Sequence, residues 1–168
     1  MPGINIQQRK GKTTGAKSFF RQAQQDNGIL STGKQQCRPF KLSGYFPQNV
    51  YGLRFQVIEG SGGVPLNVVT AGDKSKPPIL LVHGIGQSYV SWENQLKPPV
   101  TDQFYVVAFD LRGHGNSGKP WGKENYADYR KYAEDVQAVI KGTGIDRPLL
   151  VGWSYGTLVV ADYLRVYG

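Results

Sequence analysis

A single cysteine, Cys37, stands in the 168 residues, so the chain can form neither an internal disulfide nor a multi-cysteine metal site. Nowhere do 18 apolar residues run together, so no segment reads as a membrane span. The first residues lack an apolar core of signal-peptide length, which argues against a secretory signal. These absences make a cytoplasmic location the default expectation. Acids are scarce at one end only. Residues 1–41 hold eight Lys/Arg against one acid, Asp26, or +7, whereas residues 42–168 hold twelve against eleven, or +1. The net charge of +8 therefore belongs to the tail, and the near-neutral remainder offers no electrostatic footprint for nucleic acid.

What is present divides the chain at about residue 41. Residues 1–41 are rich in Gln, Ser, Thr, Gly and Lys/Arg without a sustained hydrophobic period, and they read as a basic, disordered tail. Three roles stay open for it: a plain extension (or a misplaced start codon), an organelle transit peptide, or a polyanion-binding arm. The tail holds one near-miss. Gly28 to Gln35 follows the phosphate-binding G-x-x-x-x-G-K-[ST] pattern until Gln35, which lacks the metal-binding hydroxyl, and no buried strand precedes it.

From Leu53 the periodicity changes. Residues 54–59 alternate as an edge strand does, residues 60–63 form a turn, and residues 64–71 read as a second strand paired to the first as a hairpin. Residues 79–82 and 104–109 are short continuous apolar runs, the mark of strands buried on both faces. Tyr89, Trp92 and Leu96 recur at i, i+3 and i+7, which predicts a short amphipathic helix ending before Pro98-Pro99. Tyr129, Tyr132, Ala133, Val136, Val139 and Ile140 mark one face of a longer helix that ends near Gly142 or Gly144. Residues 149–151 form the last strand. The final helix is apolar around most of its circumference apart from Asp162 and Arg165, as expected of a helix packed on a sheet and covered by neighbours. Strands alternating with helices imply an α/β fold with a mostly parallel sheet.

Three motifs sit where these strands end. Gly152-Trp153-Ser154-Tyr155-Gly156 lies between the last strand and the last helix, with Ser154 at the apex. That placement predicts a strained backbone at Ser154, flanking glycines that let strand and helix approach, and a helix N-terminus facing any charge that develops there. His83-Gly84-Ile85-Gly86 closes an earlier buried strand, where backbone N–H groups of acyl-transfer sites stabilise an oxyanion. Asp110 to Gly118 (DLRGHGNSG) closes another. Its Gly113, Gly115 and Gly118 complete a G-x-G-x-x-G pattern, with Asp135 about 20 residues on, but Lys119-Pro120-Trp121-Gly122 stands where a dinucleotide site needs a helix to open. Asp110, Arg112 and His114 are instead expected to fix the turn by hydrogen bonds.

In this order and spacing, HGIG, DLRGHGNS and GWSYG resemble the N-terminal half of an α/β-hydrolase-fold enzyme, over about residues 52 to 168. The subgroup it resembles contains bacterial hydrolases related to cofactor-free haloperoxidases, esterases and epoxide hydrolases. The resemblance implies Ser154 as nucleophile and the backbone N–H groups of Ile85 and Tyr155 as oxyanion donors, with no cofactor. Serine at 154 counts against epoxide hydrolases and dehalogenases, which use aspartate there. Thr157 stands where many relatives carry a second glycine.

In this fold the triad order is serine, then acid, then histidine. None of the fourteen residues after Ser154 is a histidine, and His83 and His114 both precede it. Asp162 lies about two turns into the helix behind the nucleophile, a poor place for the acid. The expectation is therefore a fold truncated after its nucleophile helix, with residues 42–168 as the N-terminal part of the domain. Its parent activity would be hydrolysis of a small ester or related acyl substrate through an acyl-serine intermediate, weak or inactive in this chain. The alternative is a non-catalytic fragment or pseudoenzyme that engages a partner, or a second copy, through strand 149–151 at an open sheet edge. The sequence selects no substrate.

Overall fold

The computed structural model describes residues 52–168. The expectations for the tail, for residues 42–51 and for the phosphate-loop near-miss lie outside the described residues.

Among the described residues five strands form one mixed sheet: β1 (Arg54–Glu59), β2 (Pro65–Ala71), β3 (Pro78–Val82), β4 (Tyr105–Phe109) and β5 (Leu149–Gly152), in the order β1-β2-β4-β3-β5. β1 and β2 pair antiparallel as the expected hairpin, and β2 pairs antiparallel with β4. β3 runs parallel to both β4 and β5.

Alternation along the strands builds two cores. Leu66, Val68, Leu80, Val82, Val107 and Phe109 face one side, where Tyr132, Val136, Val139 and Ile140 of α1 (Tyr129–Thr143) and Val159 of α2 (Tyr155–Tyr167) cover them. Val69, Ala71, Ile79, Leu81, Val106 and Ala108 face the other. At roughly 1.5–3 kcal/mol for each large apolar side chain removed from water, these two layers hold the sheet. α1 begins where the Asp128 carboxylate accepts from Arg130 N–H at 3.0 Å and ends at Gly144, as its apolar face predicted.

Two expectations need correction. The segment expected to be a helix at 89–96 is a 3-10 turn, Tyr89–Trp92, followed by further turns. Its apolar spacing does serve burial, because Leu96 is buried and Tyr89 and Trp92 pack beside it on the second core. A stretch this short before Pro98-Pro99 cannot recover the cost of helix nucleation. Secondly, α2 is not covered on all sides. Gly156 and Val159 are its only buried residues, while Leu158 and Leu164 are 60% and 51% exposed. β5 pairs only with β3 among the described residues, so strand 149–152 does lie at a sheet edge, as expected.

The register decides where chemistry can gather. Val82 pairs with Phe109 on one side and with Gly152 on the other. The loops that follow all three strands therefore start side by side at the carboxyl ends of the parallel strands, where ligands of open α/β sheets bind.

Candidate active site

Ser154 occupies φ 52°, ψ −119°, one of two non-glycine residues with positive φ among those described. The neighbouring glycines explain how the chain holds it there. A β-carbon on Gly152 would come within 2.7 Å of the Gly156 backbone and of Thr157 Cα. One on Gly156 would overlap the carbonyl oxygen of Val82. Backbone hydrogen bonds then lock the turn: Trp153 N–H donates to Val82 O at 3.0 Å, and Thr157 N–H to Ser154 O at 2.9 Å. Thr157 donates its hydroxyl to Gly152 O at 3.2 Å and ties the first turn of α2 to the end of β5. The Ser154 hydroxyl does not cap the helix it precedes, and its residue is exposed.

The HGIG turn lies against this elbow. A β-carbon on Gly84 would sit 3.2 Å from Ser154 Cβ and 3.3 Å from Trp153 Cδ1. Gly84 O accepts from Gln87 N–H at 3.3 Å, closing a turn in which Gly86 takes φ 70°. Gly84 N–H donates to Gln87 Oε1 at 2.9 Å. The N–H groups of Ile85 and Tyr155 have no acceptor among the described residues. The side chains of Ile85 and Trp153 are 65% and 61% exposed and give the site an apolar rim. Tyr155 instead turns its ring into the first core, edge-on to Tyr132 at 5.8 Å.

The two histidines are engaged elsewhere. His83 is fully buried; its Nε2 accepts from Leu111 N–H at 3.0 Å, so the proton rides on Nδ1, which donates to Gly84 O at 2.7 Å. Burial holds its pKa below the ordinary imidazole value. The His114 ring meets His83 edge-on at 5.3 Å, and its Nδ1 pairs with Arg112 O at 3.0 Å. No hydrogen bond joins either ring to the Ser154 hydroxyl among the described residues. Asp162 pairs with Arg165 at 2.9 Å on the outer part of α2.

The DLRGHGNSG loop is a scaffold, as expected. Asp110 Oδ1 accepts from Tyr89 N–H at 2.7 Å, and Oδ2 from Asn67 Nδ2 at 2.9 Å and Asn116 N–H at 2.7 Å. Arg112 makes a buried two-pronged pair with Asp135, both contacts at 2.7 Å. Asp135, the acid a dinucleotide reading would need, is thus consumed inside the protein. Sequence reasoning missed this partnership and the Gln87 contact, since nothing local to either residue signals them.

Comparison with known proteins agrees with this fold. The profile of a family described as "alpha/beta hydrolase fold" matches residues 77–168, more than half of the chain. Epoxide hydrolase A of Mycobacterium tuberculosis is 33% identical over 100 residues, which are 60% of this chain and 31% of that protein. Fluoroacetate dehalogenase of a Burkholderia species is 37% identical over 97 residues, 56% of this chain and 31% of that protein. Among solved structures, a protein from Burkholderia cenocepacia provisionally assigned as an aryl esterase is 41% identical, with a TM-score of 0.66. That match covers 68% of this chain and 42% of the other. The chain spans about a third of the length of these curated relatives.

Proposed function

This chain belongs to the α/β-hydrolase-fold family, and on that premise we propose that it carries the nucleophile and oxyanion side of a serine hydrolase acting on esters or related acyl substrates. The observation that carries this reading is the identity of the residue at the strained apex: Ser154, whose hydroxyl does not cap the helix and is left exposed. A serine that opened an epoxide or displaced a halide would be left as an alkyl ether, with no acyl carbon for water to attack. A serine that attacks an ester forms an acyl-enzyme that water can resolve. The likeness to the esterase-assigned structure points the same way, whereas the epoxide hydrolase and dehalogenase relatives supply the fold without the substrate class.

In this reading the Ser154 oxygen attacks the ester carbonyl, and the Ile85 and Tyr155 N–H groups receive the oxyanion, each worth about 3 kcal/mol in the transition state. The amino end of α2 adds its partial positive charge. The apolar rim of Ile85 and Trp153 favours an aryl or short aliphatic substrate. Neither imidazole among the described residues hydrogen-bonds the Ser154 hydroxyl, so the expected turnover is slow and rests on oxyanion stabilisation. The test is release of p-nitrophenol from p-nitrophenyl acetate by the protein and by Ser154→Ala, with styrene oxide as the competing substrate class. Ser154-dependent ester hydrolysis and inert styrene oxide are expected. An ester rate unchanged in Ser154→Ala sinks the reading.

A second reading rests on a separate observation. β5 lies at the sheet edge with Leu149 59% exposed, and Leu158 and Leu164 of α2 are exposed as well. A non-catalytic chain engaging a partner or a second copy there would account for this apolar surface. A well-folded monomer by light scattering and circular dichroism counts against it.

A further inference from the structure

Glycine at 84 answers one need and creates another. It lets the HGIG turn lie against Ser154 and Trp153, where a β-carbon would crowd both. It also leaves rotation about its own backbone bonds unrestrained, so nothing intrinsic decides which way the Gly84–Ile85 peptide faces. We propose that His83 is the positioning residue for the oxyanion donor: its Nδ1–H grips the carbonyl of the Gly84–Ile85 peptide and so aims the Ile85 N–H out toward the space beside Ser154. The inference rests on the reading of Ile85 as an oxyanion donor.

The geometry is a chain of fixed groups. A trans peptide is planar, with its C=O and N–H pointing in opposite directions, so holding the oxygen of Gly84 sets the direction of the Ile85 N–H. His83 holds that oxygen at 2.7 Å, and Gln87 N–H reaches it at 3.3 Å. The ring cannot turn over, because Leu111 N–H donates to Nε2 at 3.0 Å and the side chain is fully buried. The scaffold loop after β4 therefore passes its rigidity to the turn after β3 through one imidazole. Each bond in the series also polarises the next, which strengthens Ile85 N–H as a donor. A donor fixed before the charge develops needs no reorganisation during the reaction.

The test uses the full chain, labelled with 15N, and two variants. His83→Gln removes the donor at the Nδ1 position, while His83→Asn returns an amide N–H near it and drops the acceptor for Leu111. Phenylboronic acid, which adds to a serine oxygen as a tetrahedral anion, reports the oxyanion site, with Ser154→Ala as control. His83→Gln should shift the Ile85 amide resonance and weaken boronate binding roughly 10- to 100-fold. His83→Asn, which keeps a donor toward Gly84 O but loses the Leu111 anchor, should change both less than His83→Gln does. An Ile85 resonance unmoved in His83→Gln, or equal loss of boronate binding in both variants, overturns the proposal. If the unaltered chain forms no Ser154-dependent adduct, the serine-hydrolase reading fails, and the Ile85 resonance in the two variants still decides the orientation. Where His83→Gln does not fold, the imidazole 15N spectrum of the unaltered chain decides. A proton on Nδ1 coupled across its hydrogen bond to the Gly84 carbonyl supports the proposal, and a proton on Nε2 overturns it.

Discussion

The loops after β3 and β4 begin beside each other, are both rich in glycine, and follow strands buried on both faces, yet they are finished in opposite ways. In the loop after β4 the polar side chains turn inward. The Asp110 carboxylate accepts from three donors, Ser117 Oγ donates to Asp110 O at 2.5 Å and accepts from Asn67 N–H at 2.9 Å, and Arg112 reaches Asp135, Ser61 O, Asn125 O and Lys131 O. In the turn after β3 Gly84 is held by His83 and Gln87, while the Ile85 N–H has no acceptor among the described residues and the Ile85 side chain is exposed. Similar composition conceals the difference; where the polar side chains turn reveals it. A loop whose charged side chains are spent on the protein itself is scaffold, and a rigid turn that leaves backbone donors unspent beside a nucleophile can act on a substrate. Substitutions should therefore cost stability after β4 and activity after β3.

The hardest test of that division is Arg112→Met. It leaves Asp135 as a buried carboxylate with the Ser61 N–H as its one remaining donor among the described residues, so the expected loss is about 3–5 kcal/mol of stability, read from the urea midpoint. A midpoint within error of the unaltered protein would remove the scaffold role from this loop. Next comes Gly156→Ala, where the new methyl meets the Val82 and His83 carbonyl oxygens and no flexible side chain can yield. Roughly 1–3 kcal/mol or more of destabilisation is expected, together with displacement of Ser154. A fully stable Gly156→Ala protein would mean that strand and helix have room to part.

These two sites also differ in how far the sequence alone reveals them. The glycines at 152 and 156 were legible, because strand, turn and helix are contiguous and the steric need is local. Ser154 as an apex residue followed from the same five residues. The strands followed from alternation and from short apolar runs. The partner of Arg112 was not legible. Asp135 lies 23 residues away on α1, and only the packing of that helix against the loop brings the two together. The same Asp135 invited a dinucleotide reading, since spacing alone cannot tell a carboxylate that faces a ribose from one that faces an arginine. The 3-10 turn at 89–92 was misread for a related reason: apolar spacing reports which residues are buried, and several backbone forms can bury them.

A smaller effect couples the two loops through His83. Burial depresses its pKa against the opposing influences of Gly84 O and Asp110, with His114 adding to the depression. The folded state thus binds the proton less readily than the unfolded chain. Stability from this residue is fully present above about pH 6.5, the unfolded value, and is lost as the pH falls below it toward the lower folded value. The slope should be no steeper than that of one bound proton, and it should vanish in His83→Asn. An identical acid slope in that variant would assign the titration to another group.

The smallest effect has the opposite sign. Ser154 holds a backbone conformation that costs a residue with a side chain on the order of 1–3 kcal/mol. Glycine adopts it freely, though it enlarges the unfolded ensemble by about 0.5–1 kcal/mol. Ser154→Gly should therefore gain about 1 kcal/mol in urea unfolding, the difference between these two terms, while abolishing ester hydrolysis. A gain in stability with loss of chemistry is what the division between the loops predicts for a residue on the reactive side. A Ser154→Gly protein less stable than its parent would place the elbow with the scaffold, and the strain at its apex would then need another explanation than the chemistry of a nucleophile.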